Sequence, residues 1–181
     1  MLDKVLSAKY ILASKSPRRK HLLKQLGFDF QVAESNAREV SGKIPHISVR
    51  TNAKRKSRAV AHNYKDRIVI GADTVVYLKN KILNKPSSLK EAVKFLKILS
   101  GKKHVVYTGV NVVNNITGKE KYGHEKTTVE FRKLTDEEIN YYVKKFKPLD
   151  KAGAYGIQYD FVCLFIAKIT GDYYNVVGLP L

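Results

Sequence analysis

Four short stretches of the chain carry side chains whose types and spacing suit chemistry on a strongly anionic group. In "ILASKSPRR" (11–19) an apolar, strand-like run breaks into hydroxyls at Ser14 and Ser16, and two guanidinium groups, Arg18 and Arg19, follow at the start of a helix. A helix N-terminus already attracts anions and repels cations, so paired arginines make sense there if something negative sits between them and the backbone N–H groups. Arginine holds phosphate oxygens in a bidentate fork. The stretch lacks G-x-x-x-x-G-K-[ST], which excludes a P-loop. An ordinary capped helix with solvated arginines also fits it.

In "IGADTVV" (70–76) Asp73 follows directly on a buried-type strand, where α/β proteins present site residues. A carboxylate there needs a cation, a metal or hydrogen-bond donors to offset its burial; a turn-forming aspartate at a strand bend is the other reading. "NKP" (84–86) holds Lys85 before a rigid proline, as a site cation or a solvated surface lysine. "LDKAGAYGIQ" (149–158) combines two glycines, which allow a close backbone approach, with Lys151 and the amide of Gln158, which offers one donor beside one acceptor. A tight connecting loop would look the same. The five histidines show neither HExxH nor a Cys/His ligand spacing, so no zinc site is expected.

The elements that must position these groups alternate along the chain. "KYILAS" (9–14) reads as a short buried strand. Ser16 then caps a helix with Pro17 as its first residue, Leu22, Leu23 and Leu26 on one face and Gly27 as terminator. "FDFQVA" (28–33) reads as a second strand, followed by a loop and a helix over 48–62. Residues 67–80 form two β-rich halves hinged at Gly71-Ala72-Asp73. Ser88 with Glu91, and Thr135 with Glu138, make capping-box patterns opening two helices. Ile139, Tyr142, Val143 and Phe146 give the second helix an i, i+3, i+4, i+7 stripe. "HVVYTGVNVVN" and "EKTTVEFRKL" are strongly β, and "FVCLFIAKI" and "YYNVVGL" are expected to close the chain as strands. The pattern predicts a mixed α/β fold, one mixed sheet flanked by helices.

With 181 residues and 44% apolar content, one globular domain over 1–181 is expected. No apolar run approaches the ~18 residues of a membrane span. The start, "MLDKVLSAKY", sets an acid beside a base without a long apolar stretch, so no signal peptide is expected. The single Cys163 is expected inside a buried strand, and a chain with one cysteine points to the reducing cytoplasm. The formal charge is +18, and residues 1–60 hold 14 Lys and Arg against 4 acids. Such a field favours phosphates, nucleic acid or acidic lipid as partners.

Taken in order, "ILASKSPRRKHLLKQLG", "VIGADTVV", "LNKP", "LSGKKHVVYTGV", "LTDEEINYYV", "PLDKAGAYGIQ" and "GDYYNVVGLPL" resemble the Maf-like nucleoside triphosphate pyrophosphatases, from Ile11 to Leu181. The resemblance implies an elongated mixed sheet with a deep central cleft between two lobes, similar to the ITPase fold. It implies hydrolysis of a nucleoside triphosphate to monophosphate and pyrophosphate with a divalent cation, Mg²⁺ or Mn²⁺, in a cytoplasmic homodimer. Asp73 matches the family's proton acceptor and Glu39 its second acid, both as metal ligands. Lys56 and Lys85 match its lysines, and Arg18, Thr74 and Gln158 its specificity positions. S-P-R-R, G-A-D-T and Y-G-I-Q together are similar to the dTTP/UTP branch. Departures from the pattern are Lys15, Asn36 and Arg38 before Glu39, "YDFV" after Gln158, and an end at "GLPL" where relatives continue into a final helix.

On this reading Arg18, Arg19, Lys56, Lys85 and Lys151 neutralise a triphosphate, and the two carboxylates hold the cation. The competing expectations are a basic nucleic-acid-binding protein without catalysis, and a cell-division regulator acting through protein contacts. No RRM, KH or helix-turn-helix signature supports the first, so nucleic-acid binding is expected to be non-specific at most.

Overall fold

The computed structural model describes residues 2–181. After a short helix α1 (Leu2–Leu6), the chain runs β1 (Tyr10–Leu12), α2 (Pro17–Gln25), β2 (Phe30–Val32), α3 (Pro45–Ala61), β3 (Ile68–Leu78), β4 (Lys81–Leu83), α4 (Leu89–Leu99), β5 (Lys103–Asn114), β6 (Lys119–Phe131), α5 (Asp136–Phe146), a 3-10 turn (Ala152–Ala154), α6 (Asp160–Cys163), β7 (Ile166–Thr170) and α7 (Tyr173–Val177). The strands form one mixed sheet in the order β2-β1-β3-β5-β6-β7, with β4 also on β3. β1 is parallel to both β2 and β3, and every other pairing is antiparallel. The expected mixed α/β class is therefore present. No helix among the described residues is long and apolar enough to cross a membrane.

β3 organises the sheet. One of its edges pairs with β5 continuously from Ile68 to Tyr77. The other pairs with β1 at Ile68–Ile70 and with β4 at Val76–Leu78, which leaves Gly71–Val75 between them without a strand partner on that edge. The sheet forks at this gap. Gly71-Ala72-Asp73 is consequently no break between two strands, contrary to the sequence expectation: β3 pairs with β5 without interruption, and the gap lies in its other neighbours.

Successive residues of β3 face opposite sides of the sheet. Val69 belongs to a core with Ile11, Ala13, Val60 and Ala61, on the side that α3 covers. On the far side, Ile70 and Ala72 pack with Leu12, Leu22, Leu23 and Leu179 along one arm of the fork. Val76 and Leu78 pack there with Leu96, Phe131, Tyr142 and Phe165 along the other.

α3 comes unusually close to the sheet. A Cβ on Gly71 would lie 2.5 Å from the Ala53 carbonyl oxygen and 2.6 Å from the Ser57 nitrogen, and one on Gly109 would lie 2.9 Å from the Val49 carbonyl oxygen. These two glycines, one on β3 and one on β5, let the helix backbone rest almost on the strands.

Several helix ends follow their residues. The Ser16 side chain caps α2 with Pro17 in the first turn, and Thr135 and Glu138 close a full capping box on α5. Leu26 stays exposed at the end of α2 rather than joining Leu22 and Leu23. At α4 the Ser88 hydroxyl accepts from the Glu91 N–H, but the Glu91 carboxylate accepts from the Ser87 N–H and hydroxyl, so the box expected there is half closed. α3 begins at Pro45, three residues before the expected Ser48.

Of the two closing strands expected, "FVCLFIAKI" is a strand only in its second half, as β7, with its start in α6, and the other is a helix. "YYNVVGL" forms α7, because Asp172 accepts from the Tyr174 N–H as its cap and Gly178 ends it at φ +123°. Cys163 lies exposed in α6, since Val162 and Phe165, three apart on a turn, take the buried places that a strand would have given to alternate residues.

Candidate active site

The fork opens into a pocket of about 310 Å³. Asp73 and Thr74, adjacent on β3, point to opposite faces of the sheet, and the missing strand pairing lets both reach this one space. Ser14, Ser16, Arg18 and Arg19 enter from the β1–α2 turn, Lys56 from α3, Glu39 from the segment before α3, Lys85 from the stretch after β4, and Lys151 and Gln158 from the segment after α5. The eleven residues singled out in the sequence thus line one pocket.

On the α3 face the site is an acid–lysine–acid bridge. The Lys56 ammonium donates to Asp73 Oδ1 at 2.6 Å and lies 2.6 Å from Glu39 Oε1. Asn52 donates to Asp73 Oδ2 at 2.9 Å. Asp73 is 5% exposed and Lys56 9%, so each charge is taken out of water only because the other is present. Burial pushes the Glu39 carboxyl upward, but the Lys56 ion pair and hydrogen bond, helped by Lys85 at 3.6 Å and by Arg19, hold it below the usual range.

On the other face Arg19 is a buried hub. Its Nε donates to the Gly178 carbonyl at 2.7 Å, Nη1 to the Ser14 hydroxyl at 3.0 Å and Nη2 to the Thr74 hydroxyl at 3.0 Å. Burial is the main cause that lowers its pKa to about 10, against the pull of nearby Asp73, so it keeps its charge at neutral pH. Three of its five N–H groups are committed to protein, so it braces the pocket wall as well as charging it.

The Thr108 hydroxyl donates to the Asn175 carbonyl at 2.9 Å, so in the 2.9 Å contact between Thr74 and Thr108 the Thr74 hydroxyl supplies the hydrogen. Thr74 is thereby left with acceptor capacity only toward anything in the pocket.

Arg18 donates to Asp150 Oδ2 at 2.7 Å and to the Asp150 carbonyl at 3.2 Å, and Lys151 binds the other oxygen of the same carboxylate. Burial raises the Asp150 carboxyl less than these two cations lower it. Gln158 is exposed at the rim, free to turn its amide inward.

Sequence reasoning missed Asn52 and Asp150. Asn52 stands four residues before Lys56 and therefore on the same helix face, a signal that was legible. Asp150 is adjacent to Lys151, but its bond to Arg18 joins residues 132 apart and leaves no local trace.

Among the described residues no group of three or more His, Cys, Asp or Glu could hold a metal by itself. Two carboxylates within 2.6 Å of one ammonium are nevertheless no more than twice that distance apart. That donor set fits Mg²⁺, which takes one or two carboxylates, retains waters and draws remaining oxygens from a substrate's phosphates.

The sequence matches the family described as Maf-like protein over residues 9–181. A dTTP/UTP pyrophosphatase of Thermotoga maritima is 49% identical over 173 residues, covering 94% of this chain and 83% of the relative. The dTTP/UTP pyrophosphatase of Bacillus anthracis is 48% identical over 175 residues, covering 96% and 90%, and one from Bacillus cereus is 47% identical, covering 96% and 85%.

Proposed function

The chain belongs to the Maf-like protein family, and on that premise we infer that it is a nucleoside triphosphate pyrophosphatase acting on dTTP and UTP. The observation that carries this reading is the Asp73–Lys56–Glu39 bridge, set in a gap of the sheet beside a capped helix start that bears two arginines. The overall reaction adds water across the bond between the α-phosphorus and the oxygen leading to the β-phosphorus, giving monophosphate, pyrophosphate and a proton.

Arg18, Lys85 and Lys151 face the polyphosphate from three sides of the pocket, and their charge is more valuable there than in bulk water because the site is partly dry. Asp73 takes the proton of the attacking water. Lys56 keeps the two carboxylates side by side and limits their mutual repulsion. Glu39 and Asp73 would hold Mg²⁺ or Mn²⁺, which supplies Lewis-acid stabilisation of charge developing on the phosphates. Thr74, confined to accepting, suits a substrate group that donates, and N3–H of thymine or uracil is such a group whereas N3 of cytosine is not. Gln158 can match the same N3–H and the 4-oxo group together, so Thr74 and Gln158 are alternative acceptors for that one hydrogen.

A panel of nucleoside triphosphates assayed with Mg²⁺ or Mn²⁺ tests this directly. Pyrophosphate and monophosphate are expected as products, fastest from dTTP and UTP. Diphosphate with orthophosphate as the main products would overturn the reaction, and faster turnover of GTP or CTP would overturn the substrate class.

A further inference from the structure

Glu39 sits in the segment between β2 and α3, which has no regular secondary structure. Ser48 holds it at Gly42 and Asn84 at Ser41, but at Val40, next to Glu39, the backbone is held by the side chain of Asn52. Its Oδ1 accepts from the Val40 N–H at 2.8 Å, and its Nδ2 donates to the Val40 carbonyl at 3.0 Å. The primary amide is thus matched to the peptide groups of a single residue, as a neighbouring strand would be. The second Nδ2 hydrogen goes to Asp73 Oδ2 at 2.9 Å. Asn52 is 4% exposed, and these three bonds fix which end of its amide is oxygen, because only an oxygen can accept from Val40 while the nitrogen serves two acceptors.

We propose that Asn52 is a positioning residue that sets the spacing and orientation of Glu39 and Asp73, and thereby the affinity of the site for its divalent cation. Lys56 cannot do this alone. Its ammonium sits 2.6 Å from each acid, but it is a point charge on a flexible stem and holds the carboxylates together without orienting them. Asn52 has a short side chain on a helix seated against the sheet at Gly71, and it grips the residue next to Glu39 with one end and Asp73 with the other. Pinning Oδ2 of Asp73 leaves Oδ1 as the oxygen presented toward Lys56 and Glu39. Without the amide, Lys56 alone still joins Glu39 to Asp73, and the Glu39 carboxylate can shift along that bridge toward Lys85. The proposal rests on Glu39 and Asp73 being the cation-binding pair.

The test is a Mn²⁺ titration followed by electron paramagnetic resonance, with the non-hydrolysable α,β-imido-dTTP present, on the wild type, Asn52→Leu, Asn52→Ser, Glu39→Gln and Glu39→Gln/Asn52→Leu. Thermal unfolding confirms that each variant is folded, and Asn52→Ser, with Glu39→Gln/Asn52→Ser as its double, carries the comparison if leucine is not tolerated. Losing bonds to charged and buried groups predicts Mn²⁺ binding weakened about tenfold or more in Asn52→Leu. In the Glu39→Gln background the same substitution should add less than about twofold, because its effect runs through Glu39. Equal losses in both backgrounds would mean a structural role only and overturn the proposal, as would wild-type affinity in both Asn52 variants. If Glu39→Gln itself binds Mn²⁺ normally, the reading of the site falls and takes the proposal with it. Normal binding by the Asn52 variants beside weakened binding by Glu39→Gln removes the role of Asn52 alone.

Discussion

Replacing Gly71 by alanine adds one methyl group at the point where α3 rests on the sheet. That Cβ would lie 2.5 Å from the Ala53 oxygen, 2.6 Å from the Ser57 nitrogen and 2.9 Å from the Ser57 Cβ. Two of the three are backbone atoms of a helix and cannot rotate away. Reaching ordinary contact requires α3 to retreat by roughly 1 Å. Lys56 can absorb part of such a shift along its stem, but Asn52 cannot: its 2.9 Å bond to Asp73 would stretch beyond hydrogen-bond range, and the segment bearing Glu39 would move with it.

Overpacking of this kind costs about 1–3 kcal/mol, which in a protein of this size lowers Tm by roughly 3–10 °C. A displacement of about 1 Å at reacting groups costs on the order of 10²-fold in rate. The expectation is therefore a variant still folded at 25 °C whose kcat/KM for dTTP has dropped far more than its stability. Gly123→Ala is the control, since a Cβ there meets nothing within 4 Å and its φ is not positive. Calorimetry and pyrophosphate release on the three proteins decide the matter. A Gly71→Ala enzyme with wild-type Tm and a rate within about threefold of normal would refute the claim that this close seating aligns the acids.

Asp73→Asn keeps the shape of the side chain but removes its basicity and its charge opposite Lys56, so kcat should fall by ~10²–10⁴-fold with the fold retained. Retention of more than about a tenth of the rate would exclude Asp73 as the base, whereas Glu39→Gln should be milder and partly restored by raised Mg²⁺. His104 is buried against Tyr155, with 2.8 Å between Nε2 and the hydroxyl, and burial pushes its pKa down to about 4. Above pH ~6.5 the ring is neutral in both states; below it the unfolded chain binds a proton that the folded one refuses, so stability falls from pH ~6.5 down to ~4, by on the order of 3 kcal/mol in all. His104→Gln should flatten that part of the Tm profile, and identical slopes in both proteins would show that His104 does not control it.

What the sequence disclosed and what it hid divide along physical lines. Ser16 with Pro17, and Thr135 with Glu138, act within one helical turn, and their caps are present. Asp73, Arg18 and Arg19 were legible by type, because a buried acid or paired arginines at a helix start demand compensation wherever they lie, whereas Glu39, Lys56 and Thr74 were reached only through the family resemblance. The fork was hidden. Residues 68–78 look like two strands with a glycine between them, and only the choice of partners, fixed by residues up to sixty positions away, shows that β3 is unbroken and its neighbour is not. "YYNVVGL" misled because its β-branched and aromatic residues favour a strand, whereas Asp172 and Gly178 just outside decide for a helix. Gly71 gave no hint of the contact that it permits, since that contact is with a helix encoded some fifteen residues earlier.

The gap in the sheet has a consequence for how the chain reaches this state. β5 and β6 meet across the short turn at 115–118, whereas β1 can join β3 only after the whole stretch from Ala13 to Arg67 has been gathered in. Closing that longer loop costs more entropy, and parallel pairing across it is slow. A chain with the later strands assembled and β1 still unattached presents Gly71–Val75 and the rest of that edge as an open row of backbone donors and acceptors. Such an edge recruits other chains as readily as its own. The gap that opens into the candidate site in the finished protein is thus the edge exposed to other copies during refolding, and concentrated refolding should lose material to aggregation there first.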